Sequence, residues 1–133
     1  MRYKDWTQRL TATIKAASER PFSWAEHSCC HFVGDCCLAV CGVDPAEDYR
    51  GRFTTERGAY RVLSRGHGSI AAVLDAYFER VSPTCAQRGD AVLFEGDAGE
   101  TVGVIWAGAI WSAGPGGVGR VVNAIPHTAW RVS

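Results

Sequence analysis

The sequence lacks any surplus of charge: 14 Lys and Arg stand against 14 Asp and Glu. A domain that grips nucleic acid normally carries a basic excess, so this balance speaks against nucleic acid as a partner. Arg50, Arg52, Arg57, Arg61 and Arg65 do crowd together in the chain. On one helix and its flanking loop they read as a solvated face rather than a binding patch. The sequence also lacks an apolar run near the ~20 residues that span a bilayer, which speaks against membrane insertion. The opening "MRYKDWTQRL" has no apolar segment behind its basic residues, unlike a secretory signal. The expectation is a chain made and folded in a cytosol. There is no internal repeat, linker or low-complexity segment, and residues 1–133 read as a single domain.

What the chain does have is a globular composition, 47 % hydrophobic and 21 % charged. It has six cysteines, five of them between Cys29 and Cys41. In a cytosol such thiols are expected to stay reduced rather than form disulfides.

Tyr3, Trp6, Leu10, Ile14 and Ala17 recur at steps of three and four, which predicts an amphipathic helix over residues 3–18, ended by Pro21. Ser28 is placed as an N-cap. "CCHFVGDCCLAVC", residues 29–41, reads as a buried helix stopped by Gly42. A third helix is expected from Thr54 or Thr55 to Arg65, stopped by Gly66. A fourth is expected after the cap Ser69, with Ile70, Val73, Leu74, Tyr77 and Phe78 as its apolar face. After Pro83 the pattern changes to short β-rich runs: "DAVLFE", "TVGVIWAG", "AIWSAG", "VGRVVN" and "AWRV". Helices first and strands second predict an α+β class, with the helices packed on a small antiparallel sheet or half-barrel. Phe22, Trp24, Phe32, Val33, Leu38, Val40, Leu63, Leu74, Phe78, Leu93, Val104 and Ile105 form the expected core, each adding about 1.5–3 kcal/mol when buried.

Cys29 follows the expected cap directly. There it meets the free N–H groups and positive end of the helix, which lower thiol pKa and favour the nucleophilic thiolate. Cys30, Cys36, Cys37 and Cys41 lie deeper and read as small inert hydrophobes. A metal site is the alternative. Cys30, Cys37 and Cys41 share a face, but the outer two are about 16 Å apart along a helix. Only Cys37 and Cys41 could share an ion, with Cys85 or a histidine completing the set. The reading adopted is that the chain holds no metal and no cofactor.

"PFSWAEHSCCHFV" resembles the nucleophile motif of NlpC-type papain-like cysteine peptidases, and "RGDAVLFEGDAGETVGVIWAGAIWSAGPGGV" resembles their following strands. The resemblance covers about residues 20–132. It is closer still to a branch of small proteins from phage and prophage tail-gene clusters. The shared features are Pro21, Phe22, Trp24 and Cys29; Asp44-Pro45-Ala46; Arg50-Gly51-Arg52-Phe53; Arg88-Gly89-Asp90; Gly103-Val104; and Ala129-Trp130-Arg131-Val132. The resemblance implies a papain-like fold of NlpC type with Cys29 as nucleophile.

Four positions depart from that pattern. Ala25 and Ser28 stand where the peptidase turn has Gly and Asp. Thr101 stands where the resemblance implies the catalytic His. Trp111 or Ser112 stands near the place of the third, orienting residue. Neither threonine nor tryptophan can take a thiol proton, and a Cys nucleophile needs a base within hydrogen-bond reach. His27 and His127 are the candidate substitutes. His31 could instead pair with Asp35 one turn on, and His67 reads as an ordinary surface or packing residue.

Three functions follow as expectations. The first is a structural or assembly protein of a phage tail tip or baseplate, its catalytic set degenerate at Ser28, Thr101 and Trp111. Its partners would be other tail-tip proteins, and it would pass from the host cytoplasm to the virion tail. The second is an active cysteine endopeptidase acting on peptidoglycan. The third is a zinc or iron–sulfur protein built on Cys37, Cys41 or Cys85.

Overall fold

The computed structural model describes residues 1–97 and 99–133. Among the described residues four α-helices precede all the strands: α1 (Trp6–Ser18), α2 (Cys29–Cys41), α3 (Glu56–Arg65) and α4 (Ile70–Tyr77). The strands are β1 (Glu79–Val81), β2 (Ala91–Gly96), β3 (Gly99–Trp106), β4 (Ala109–Gly114), β5 (Gly117–Val121) and β6 (Thr128–Arg131). They form one six-stranded antiparallel sheet in the order β1-β6-β2-β3-β4-β5. The α+β class read from the sequence therefore holds. Among the described residues no helix is long and apolar enough to cross a membrane.

Local chemistry explains the helix ends. Thr55 Oγ1 accepts the Gly58 N–H at 3.0 Å, and Ser69 Oγ accepts the Ala72 N–H at 3.1 Å. Each satisfies one N–H left free by the first helical turn. Gly42 closes α2 in the left-handed region, φ 78°, where a side chain would be strained.

Strand periodicity sorts the sheet into two faces. Leu93, Val102, Val104 and Ala113 pack under α1 and α2 with Leu10, Phe32 and Val40. Val92, Phe94, Ile110 and Ala129 face the other way into a smaller cluster.

Several expectations need correction. The first helix starts at Trp6, not residue 3. Phe78 leaves the helical region and leads into β1, a strand that precedes Pro83 and owes its existence to pairing with β6. Leu38 is 47 % exposed, because it points from α2 to the side that nothing covers. Phe22, Trp24, Leu63 and Ile105 are only partly buried. Arg50 is no solvated-face residue: its guanidinium donates to Asp35 and Asp44, each at 2.7 Å, and pins the 44–53 loop onto α2. The loop comes so close that a Cβ on Gly34 would meet Asp44, Ala46 and Arg50 at 2.6–2.9 Å.

Both chain ends meet at Asp90. Its carboxylate, 0 % exposed, accepts from Arg2, Arg131 and the Gln87 and Val132 N–H groups at 2.9–3.1 Å. Removing one partner of a buried ion pair leaves the others unmatched and is strongly destabilising. We expect Asp90→Ala to lower the unfolding free energy by about 3–5 kcal/mol, read from the shift in urea midpoint.

Candidate functional site

The loop after α1 turns tightly, with Ser23 and His27 exchanging backbone hydrogen bonds at 3.1 and 2.8 Å. It delivers Ser28 to the start of α2 in an extended conformation. The Ser28 N–H donates to His31 Nδ1 at 3.1 Å, and the Ser28 hydroxyl lies 2.8 Å from the same nitrogen. Because the backbone N–H can only donate, Nδ1 is an acceptor here, and the neutral ring carries its proton on Nε2. The pair forms a capping box with histidine in the place usually held by Glu or Gln.

Cys29 is thus the first residue of α2, as its sequence position implies, and is partly exposed. Its thiol pKa is lowered by the neighbouring Cys30 thiol, against the opposing effect of burial, and then by the backbone N–H groups of Val102, Cys30 and Cys29. The Cys30 thiol is pushed far up, by donating toward Cys29 and by burial. Cys36 and Cys37 are buried thiols whose pKa also moves up, through desolvation. Cys30, partly exposed as a residue, packs against the core cluster with its thiol pushed up, in keeping with the inert apolar cysteine expected from its place in the helix.

β3 and β4 pair at Val104–Trp111, Ile105–Ile110 and Trp106–Ala109. Beyond Val104 the ladder between them stops, and the Val102 carbonyl accepts the Ser112 hydroxyl at 2.8 Å. Cys29, at the start of α2, packs against the core cluster that contains Val102.

Beside the start of α2 lies a groove of about 570 Å³. Cys29, Cys30 and Val102 line its base, with Phe22 and Trp24 at one end. Tyr60 and Leu63 of α3 and residues of β5 also line it.

No histidine completes a pair with Cys29 among the described residues. His27 is 1 % exposed, and neither ring nitrogen has a hydrogen-bond partner, the sulfur included. His31 does not pair with Asp35, which Arg50 holds; its Nδ1 is taken by Ser28 and its Nε2 bears the proton. His127 is exposed, bonded to Thr128 through Nδ1 and 3.8 Å from Glu100 through Nε2. His67 is bonded to Tyr49. Thr101 lines the groove, but its hydroxyl donates to Gly99 O at 3.0 Å, and its neighbour Val102 is the residue that packs under α2. Trp111 donates from Nε1 to Trp106 O at 2.9 Å and packs against Trp106.

Cys37, Cys41 and Cys85 do not converge as metal ligands. The one group of three possible ligands among the described residues is Glu95, Glu100 and His127, all exposed.

The arrangement is an α+β domain with an acidified thiol at a helix start, packed against the core cluster and open to an apolar groove. Over residues 1–132 the chain matches the family described as a domain of unknown function, DUF6950, and it belongs to that family. No curated protein matches it.

Two measurements check this electrostatic description. Iodoacetamide at neutral pH should label Cys29 well before Cys36 and Cys37, with a rate midpoint below the ordinary thiol value of about 8.5. Peptide mass mapping reads the order, and labelling of Cys36 first would overturn it. His27 supplies the second. Desolvation, then the nearby Arg20 charge, lowers its pKa in the folded chain. The unfolded chain takes up that proton below about pH 6.5, so stability is complete above this pH and falls below it. His27→Leu should flatten that acid limb without lowering stability at pH 8, because the imidazole has no hydrogen bond to lose. Urea midpoints from pH 4 to pH 8 test this.

Proposed function

We propose that this chain is an NlpC-type, papain-like domain that keeps the nucleophile position but has no base. We propose further that it serves as a structural or assembly protein of the tail tip or baseplate of a phage or phage-like particle. One observation carries the reading. Cys29 sits at the start of α2, with Val102 beside it and Thr101 next in the strand, and no imidazole lies within hydrogen-bond reach of its sulfur. Thiolate stabilisation alone does not make a peptidase. The departing amine needs a proton, which a neighbouring histidine normally takes from the thiol and hands on. Neither Thr101 nor Trp111 can do this. On this reading the preserved helix start is a structural inheritance, and the groove is a contact surface for neighbouring tail proteins in the host cytoplasm and later in the virion.

A second reading has its own support. A lowered Cys29 pKa, with the N–H groups of Cys29 and Cys30 at the helix start, is also what an acyl-transfer site uses to hold a thiolate and an oxyanion. That reading is an active peptidoglycan endopeptidase.

Digestion of purified sacculi separates the two. The assembly reading expects no peptide release above a Cys29→Ala control, and it expects the chain to sediment with tail particles in induced lysates of the strain that encodes it. Release that depends on Cys29 would establish the enzyme reading. A chain that stays in the soluble fraction would sink the tail assignment.

A further inference from the structure

β5 is an edge strand of the sequence Gly-Val-Gly-Arg-Val, and among the described residues no backbone group outside β4 bonds to it. The turn at Pro115-Gly116 has two residues, which makes Gly114 and Gly117 a hydrogen-bonded pair. Alternation then turns the N–H and C=O of Val118 and Arg120 outward. Exposed edges are usually guarded by lysine, proline, a bulge or a covering segment. Here one arginine is the only charge, and a Cβ on Gly117 or Gly119 would meet nothing within 4 Å.

This edge borders the groove, with α1 packed beside β5. The groove is also lined by α3, a helix with no buried residue, through Ala59, Tyr60 and Leu63. Glu56, Asp97 and Glu100 stand along the groove without an Arg or Lys partner among the described ion pairs, Glu100 lying 3.8 Å from His127; of the two arginines that line it, Arg50 is held by Asp35 and Asp44, which leaves Arg120 against three carboxylates. The groove thus offers unpaired strand donors and acceptors, apolar side-chain space and a negative rim.

We propose that β5 accepts an extended peptide segment carrying a basic residue, which adds as a further strand and lays its apolar side chains toward α3. Main-chain bonds to Val118 and Arg120 would give affinity, and the rim would select the basic residue. A second copy of this chain is the poorer occupant, because edge-to-edge pairing would bring two sets of the same three carboxylates together. The inference rests on the assembly reading and names its mode of contact.

The probe is a capped peptide alternating valine and threonine around one central lysine. We expect saturable binding and slowed amide exchange at Val118 and Arg120. Arg120→Pro removes one outward N–H without touching the β4 ladder, and an edge strand tolerates proline there. It should weaken binding about tenfold or more, while Arg120→Ala, which keeps the N–H, should change it less than about threefold. Exchanging the probe's lysine for glutamine should also weaken it. Absence of binding, binding indifferent to Arg120→Pro, or equal binding of the glutamine peptide would overturn the proposal. So would a dimer in sedimentation that Arg120→Pro dissolves, which would assign the edge to a second copy. Mass spectrometry of the same mixture keeps the two claims apart. Cleavage of the bound peptide would sink the assembly reading and leave strand addition standing. No binding and no cleavage would do the reverse.

Discussion

The buried carboxylate of Asp90 is the constraint on which the rest depends. It gathers Arg2 from before α1, Arg131 at the end of β6 and the backbone of the turn that launches β2. A carboxylate so far from water is tolerated only when its lone pairs are filled, and four donors fill them. The same contacts decide which end of the sheet α1 covers, and they place β6 between β1 and β2.

Cys29 draws its character from the start of α2. A helix start alone gives a thiolate partial positive charge. The Cys30 thiol, and after it the backbone N–H of Val102, lower the Cys29 pKa further, while the Cys30 thiol is pushed up. On the assembly reading this is charge stabilisation without proton transfer, whereas acyl transfer also needs a group that returns a proton to the departing amine. The histidines nearest in sequence are held by other duties: His31 by the cap of α2, His27 by a dry pocket in the preceding loop.

The parts of the fold set by local chemistry were legible in the sequence. Ser28, Thr55, Ser69, Gly42 and Gly66 mark helix ends, and the apolar spacing marks the strands. β1 was not legible: Glu79-Arg80-Val81 has no alternation and becomes a strand only through β6. The His31–Asp35 pairing expected from helix spacing fails because a guanidinium from another segment, Arg50, binds Asp35 with better geometry. Leu38 reads as core by type and is exposed by position. Cys29 could be picked out because helix-end electrostatics are local. The packing of Cys29 against the cluster that holds Val102 joins residues more than seventy positions apart in the chain and left no mark on either segment.

The attachment of α3 has a mechanical consequence. The segment leading to it is fastened to α2 by Arg50, and its far end is fastened by the Tyr49–His67 bond, while its middle buries nothing. A helix held at both ends and loose between them opens locally at lower cost than one embedded in a core. The groove therefore has one stiff wall, made by the sheet, and one compliant wall. Side chains of different bulk can be seated by small tilts of α3, with no rearrangement of the sheet.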